Sequence, residues 1–178
     1  MTVVPESLGL DLGQNPQSAL RRLVPKLDGI VKLFGRRINQ IQSARVFGNT
    51  EIANLTETKI AFFSRTWDEG DLFDAANNRL VCHVPGWYAI WAFGEYFFDA
   101  GGTFRTLYVR KNSGPTLNGP ILTGIRTPPY AADIPILPCM TIDRLGVTEY
   151  VELSGQQDSG GPVSAINCFL GIHLLMPS

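Results

Sequence analysis

The sequence predicts a mainly β protein, an antiparallel sandwich or barrel preceded by an extended arm and a short helix. Three observations predict it. Beyond Arg45 the chain breaks into short aromatic and β-branched runs separated by recognisable turn residues. Gly (18) and Pro (12) are plentiful, whereas charged residues make up only 17% of the 178, a turn-rich and charge-poor composition. The spacing of three and four that marks a helical stripe is confined to residues 17–42.

Residues 1–16 carry Pro5, Gly9, Gly13 and Asn15-Pro16, breakers placed so closely that no regular element can form, and we read them as an extended arm. From there the apolar positions Leu20, Leu23, Leu27, Ile30, Phe34, Ile38 and Ile41 recur on one helical stripe, which defines a segment over residues 17–45. Pro25, Gly29 and Gly35 weaken that helix, so its stripe needs a cover. Either the chain's own β-domain or the same stripe on a sister subunit supplies it, and the spacing favours an oligomerising or docking segment.

Candidate strands follow at 59–65, 79–84, 87–98, 103–111, 117–124, 149–153 and 162–176. Turns rich in Gly, Asn, Asp and Pro separate them, among them Asp68-Glu-Gly-Asp71, Ala76-Asn-Asn78, Pro85-Gly86 and Asp158-Ser-Gly-Gly161. Residues 46–178 are thereby expected to form one β-domain. The strand from Trp87 is apolar on both sides, with Trp87, Ala89, Trp91 and Phe93 on one face and Tyr88, Ile90, Ala92 and Tyr96 on the other. The last strand repeats this, with Phe169, Gly171, His173 and Leu175 opposite Leu170, Ile172 and Leu174. One face fills a core, and the second needs another layer or another subunit. We assign Tyr88 and His173, with the helical stripe, to oligomerisation. Three copies of His173 around an axis would make assembly sensitive to pH.

Exclusions narrow the function. Fifteen basic against sixteen acidic residues give no reason to expect a nucleic-acid partner. The longest uncharged apolar stretch, Val84 to Gly94, is too short for membrane insertion, and the first residues lack the pattern of a cleaved secretory signal. Cys82, Cys139 and Cys168 stand apart without metal-ligand spacing and read as buried reduced thiols. No nucleotide loop, nucleophile elbow or zinc-protease motif is present, so no catalytic residue, cofactor or metal site is assigned. His83 and His173 read as structural. Asp68, Glu69, Asp71 and Asp74 lack the ligand alternation of a calcium loop and read as a solvated turn capped by Asp74. For surface recognition the candidates are Tyr96 and Phe98 of the aromatic turn and Tyr130 of the proline-rich loop.

The order of these pieces resembles the C1q-like branch of the C1q and tumour-necrosis-factor superfamily of trimeric jelly rolls. Ile60-Ala-Phe-Phe-Ser-Arg-Thr66 is similar to that family's opening strand. The block from Phe73-Asp through Ala76-Asn-Asn78 to Pro85-Gly-Trp-Tyr88 is similar to its aromatic-Asp, turn, strand and Pro-Gly corner. Leu107-Tyr-Val-Arg-Lys-Asn112, Tyr150-Val-Glu-Leu153 and Phe169-Leu-Gly-Ile-His-Leu-Leu175 resemble later strands, so the likeness spans residues 58–178. Val147-Thr-Glu149 replaces the usual Gly-Asp, and residues 112–143, rich in proline, are expected to hold an elaborated loop. The resemblance implies a jelly-roll sandwich, a homotrimer and a binding role without catalysis.

With no Gly-X-Y repeat and a helical N-terminus, the architecture resembles bacteriophage knobs. The expectation is a virion protein of a tail tip or fibre that contacts a host-surface glycan or protein, with its arm engaging other virion proteins. A capsid decoration or head fibre is the alternative, and a secreted C1q-like lectin the second.

Overall fold

The computed structural model describes residues 42–97, 101–129 and 135–178. In chain order the strands are β1 (Ser43–Ile52), β2 (Thr58–Lys59), β3 (Phe62–Glu69), β4 (Phe73–Asp74), β5 (Arg79–Val81) and β6 (Gly86–Tyr96). They continue with β7 (Arg105–Lys111), β8 (Ile121–Thr127), β9 (Cys139–Leu145), β10 (Tyr150–Gln157) and β11 (Val163–Pro177). No helix occurs among the described residues, and the expected helical stripe from Leu20 to Ile41 lies outside them.

Two antiparallel sheets face each other. One has the order β3-β1-β11-β6-β9; the other runs β4-β5-β10-β7-β8, with β2 added alongside β10. Alternation along each strand sends one set of side chains between the sheets. Val46, Tyr88, Ile90, Leu170 and Ile172 from the first sheet meet Leu80, Leu107, Val109, Val151 and Leu153 from the second, all fully buried.

The structure revises the strand assignment in two places. Residues 43–45, which the sequence places in the helical segment, open β1, so Ile60–Thr66 supplies the second strand of its sheet and not the first. Within residues 112–143, β8 overlaps the strand expected at 117–124 but ends later, and most of β9 adds a strand that the sequence reading did not assign.

Tyr88 and Tyr96 are also corrected, since both are fully buried and neither reaches an interface or a recognition surface. Alternation puts them with Ile90 and Ala92 on the core side of β6. A buried phenol needs an acceptor, and Tyr88 donates its hydroxyl to the Val84 carbonyl (2.6 Å) as Tyr96 does to that of Thr106 (2.6 Å). Phe98 and Tyr130 fall outside the described residues.

Candidate interface on the five-stranded sheet

The face of the first sheet turned away from the core is built from three cross-strand rows. Strand register aligns Trp67, Arg45, Gly171, Trp91 and Met140 from β3 across to β9. On one side runs Glu69, Ser43, His173, Ala89 and Ile142. On the other, Phe47, Phe169 and Phe93 cross the three middle strands.

These side chains pack on one another. The rings of Phe93 and Phe169 stack with centroids 5.1 Å apart, and Phe47 meets Phe63 edge to face at 5.5 Å. The Arg45 guanidinium lies 4.2 Å from the Phe169 ring and 5.7 Å from that of Trp67. Trp67 in turn donates its indole N–H to Ser43 Oγ (2.9 Å). Gly171 is there because the Trp91 ring lies over it; a Cβ at that position would come within 2.4 Å of the indole.

Much of this surface meets solvent. Met140 is 73% exposed, Phe63 66% and Ile142 60%, and Trp87 stands partly exposed at one end of β6. Beside them Trp91, Phe93, Pro138, Cys139, Met140 and Phe169 line an apolar hollow of about 390 Å³. Burial pushes the Cys139 thiol up to about 11, against the lowering effect of a backbone hydrogen bond at Ala92. The Nε of Arg45 is buried and has no hydrogen-bond partner among the described residues. A solvated monomer has little reason to keep such an aromatic face with one cation set into it.

His173 is exposed in the row between Ser43 and Ala89, and the His83 Nε2 lies 3.0 Å from the Asp71 carbonyl oxygen. The acidic turn holds its own loop together. Asp68 accepts the Leu72 and Phe73 N–H groups at 2.7 and 3.2 Å. Asp74 accepts the Asn77 N–H and side-chain amide and the Arg79 Nε–H, the capping expected of it. Burial raises the Asp74 carboxyl, but the bonds from Asn77 and Arg79 outweigh it and hold the group below the ordinary carboxylate range. Among the described residues no group of three or more His, Cys, Asp or Glu is placed to hold a metal ion, and no helix is long and apolar enough to cross a membrane.

Sequence reasoning found β6 and β11 apolar on both sides and left open which side faces outward, assigning to oligomerisation Tyr88, which lies on the core side, and His173, which lies on this one. It missed Arg45 and Phe47 on β1 and Met140 and Ile142 on β9. The alternation in Ala44-Arg-Val-Phe47 and in Met140-Thr-Ile142 was the available signal.

No family model matches the sequence, and no curated protein does. Solved structures do match. The globular domain of zebrafish complement 1qA aligns with a TM-score of 0.56 at 16% identity, covering 77% of this chain and 99% of that one. Eiger TNF from S. frugiperda aligns with a TM-score of 0.57 at 10% identity, covering 78% and 94%. Murine APRIL at pH 5.0 gives 0.59 at 10% identity, with coverage of 76% and 100%. The two sheets described above are therefore the jelly roll shared by C1q and TNF globular domains.

Proposed function

We propose that three copies of this chain join through the outer face of the β3-β1-β11-β6-β9 sheet to form a binding knob that does no chemistry of its own. The observation that carries the reading is the continuous aromatic and aliphatic face of that sheet. A trimer is what the C1q resemblance implies, and a heterologous contact repeated around a three-fold axis closes a ring. The β1 and β3 half of one copy then packs on the β6 and β9 half of the next, with β11, the central strand, nearest the axis. In that arrangement the Arg45 cation of one copy meets the half that bears Trp87, Trp91 and Met140, and tryptophan faces attract cations.

The knob serves as a virion component, at a phage tail tip or fibre, and touches the host surface. The C1q-like resemblance of residues 58–178, preceded by the breaker-rich and helically periodic sequence of residues 1–45, supports that reading by analogy of architecture. Three identical sites on one axis raise avidity without new contacts. Mass spectrometry and immunogold labelling of purified particles test it: the chain is expected at the tail. Labelling on the capsid moves the protein to the decoration role, and absence from particles contradicts the virion reading.

A further inference from the structure

The second sheet carries a polar cleft on its outward side. β10 forms the floor: Val151 and Leu153 point into the core, so Glu152 between them points away from it. Ala76–Arg79, the turn leading into β5, makes one wall, Gly114 and Pro115 of the β7–β8 connection make another, and Lys59 of β2 reaches in beside them. The volume is about 340 Å³, at the lower end of the ~300–1,000 Å³ range of ligand sites.

At the base, Glu152 is only 1% exposed, with one carboxylate oxygen accepting from Lys59 Nζ and the other from Ser113 Oγ. Burying such a pair is costly, and here it forms the floor of an open cleft. Hydrogen-bonding capacity remains above it. Lys59 has two further N–H donors, and each Glu152 oxygen has a second lone pair. Asn78 commits its Oδ1 to the Phe62 N–H (2.8 Å), and its Nδ2 has no partner among the described residues. Asn77 spends its side-chain amide on Asp74 (2.8 Å), which leaves its Oδ1 as an acceptor. Arg79 is held by Asp74 and lies 4.2 Å from the Tyr150 ring. Pro115 and Ala76 add small apolar patches.

Donors and acceptors thus both line the cleft. A simple anion would face Glu152, a simple cation would face Lys59 and Arg79, and an apolar ligand would leave all of these groups without partners. A hydroxyl both donates and accepts, and a pyranose presents several of them around a ring whose C–H face suits proline and alanine. We propose that this cleft binds one neutral hexose unit of a glycan.

The cleft is on the sheet opposite the proposed interface, so the binding does not depend on trimerisation. It supplies a ligand class for the host-contact reading, and rests on that reading only for the source of the sugar.

The test is NMR titration of the ¹⁵N-labelled full chain with glucose, galactose, mannose and N-acetylglucosamine, with inorganic sulfate as the charge control. At least one sugar is expected to shift the amides of Lys59, residues 76–79, Gly114 and Glu152. Asn78→Asp keeps the acceptor for Phe62 and tolerates the local φ of 49°, yet loses the free donor, so it should weaken that sugar about tenfold. Three results would overturn the proposal: no sugar moves these amides, N78D with an unchanged fold binds as tightly, or sulfate moves them more than any sugar. The shift map of the unmodified protein decides the matter even where N78D fails to fold. Sedimentation of the same sample reports assembly separately, so loss of one proposal leaves the other standing.

Discussion

Trp91 and Gly171 show how one residue choice controls a surface. The indole covers the glycine Cα, and a Cβ there would stand 2.4 Å from the ring. Gly171→Ala should therefore leave the core intact, displace Trp91 from the face and promote dissociation, read as a lower average mass on dilution with an unchanged far-ultraviolet spectrum. Tyr96 makes the complementary case in the core. Tyr96→Phe removes the bond to the Thr106 carbonyl and should cost about 1–3 kcal/mol in urea denaturation; no loss would contradict the described contact. These roles were only half legible in the sequence. Alternation along β6 separates Tyr88 and Tyr96 from Trp87 and Trp91, but both sets are aromatic, and which set faces inward depends on the opposing sheet. The acceptors of the two phenols, the Val84 and Thr106 carbonyls, follow only from the folded chain.

At the scale of elements, strands bounded by Gly, Asn or Pro turns and alternating cleanly were readable, as with β6, β7 and β11. β1 was hidden because Ser43–Arg45 continues directly from a segment with helical periodicity. β9 was hidden because Pro135 and Pro138 precede it and its exposed positions, Met140 and Ile142, are apolar where a solvated strand would be polar. The β9–β10 turn is tied down by Glu149, which accepts the Gly146 N–H (2.6 Å), Lys111 Nζ (2.9 Å) and the Asn112 side-chain amide (3.1 Å). Burial raises this carboxyl, but the Gly146 bond and Lys111 outweigh it and lower its pKa. A depressed folded pKa means the contribution is full above the unfolded carboxylate pKa and fades as pH falls through the folded value. Glu149→Gln should therefore narrow the stability gap between about pH 7 and about pH 3 relative to the unmodified protein; an identical gap in urea titrations at the two pH values would contradict the assignment.

For the whole molecule, the two sheets divide the work. The five-stranded sheet carries an apolar outer face, and the six-stranded sheet carries a polar cleft. The first was foreshadowed by strands apolar on both sides. The second was not, because Lys59, residues 76–79, Gly114, Pro115 and Glu152 are scattered through the sequence and meet only through the sheet order. Low overall charge fits the proposed interface, which would bury a large part of the five-stranded sheet's outer face. Met140→Asp combined with Ile142→Asp places two charges in the proposed contact and should yield a folded monomer, checked by circular dichroism and mass together; a charged variant that stays associated would move the interface elsewhere. The most direct measurement is sedimentation equilibrium of the unmodified full chain over a dilution series at micromolar concentration. A mass three times that of the chain is predicted throughout, and a stable monomer over that range would contradict the account.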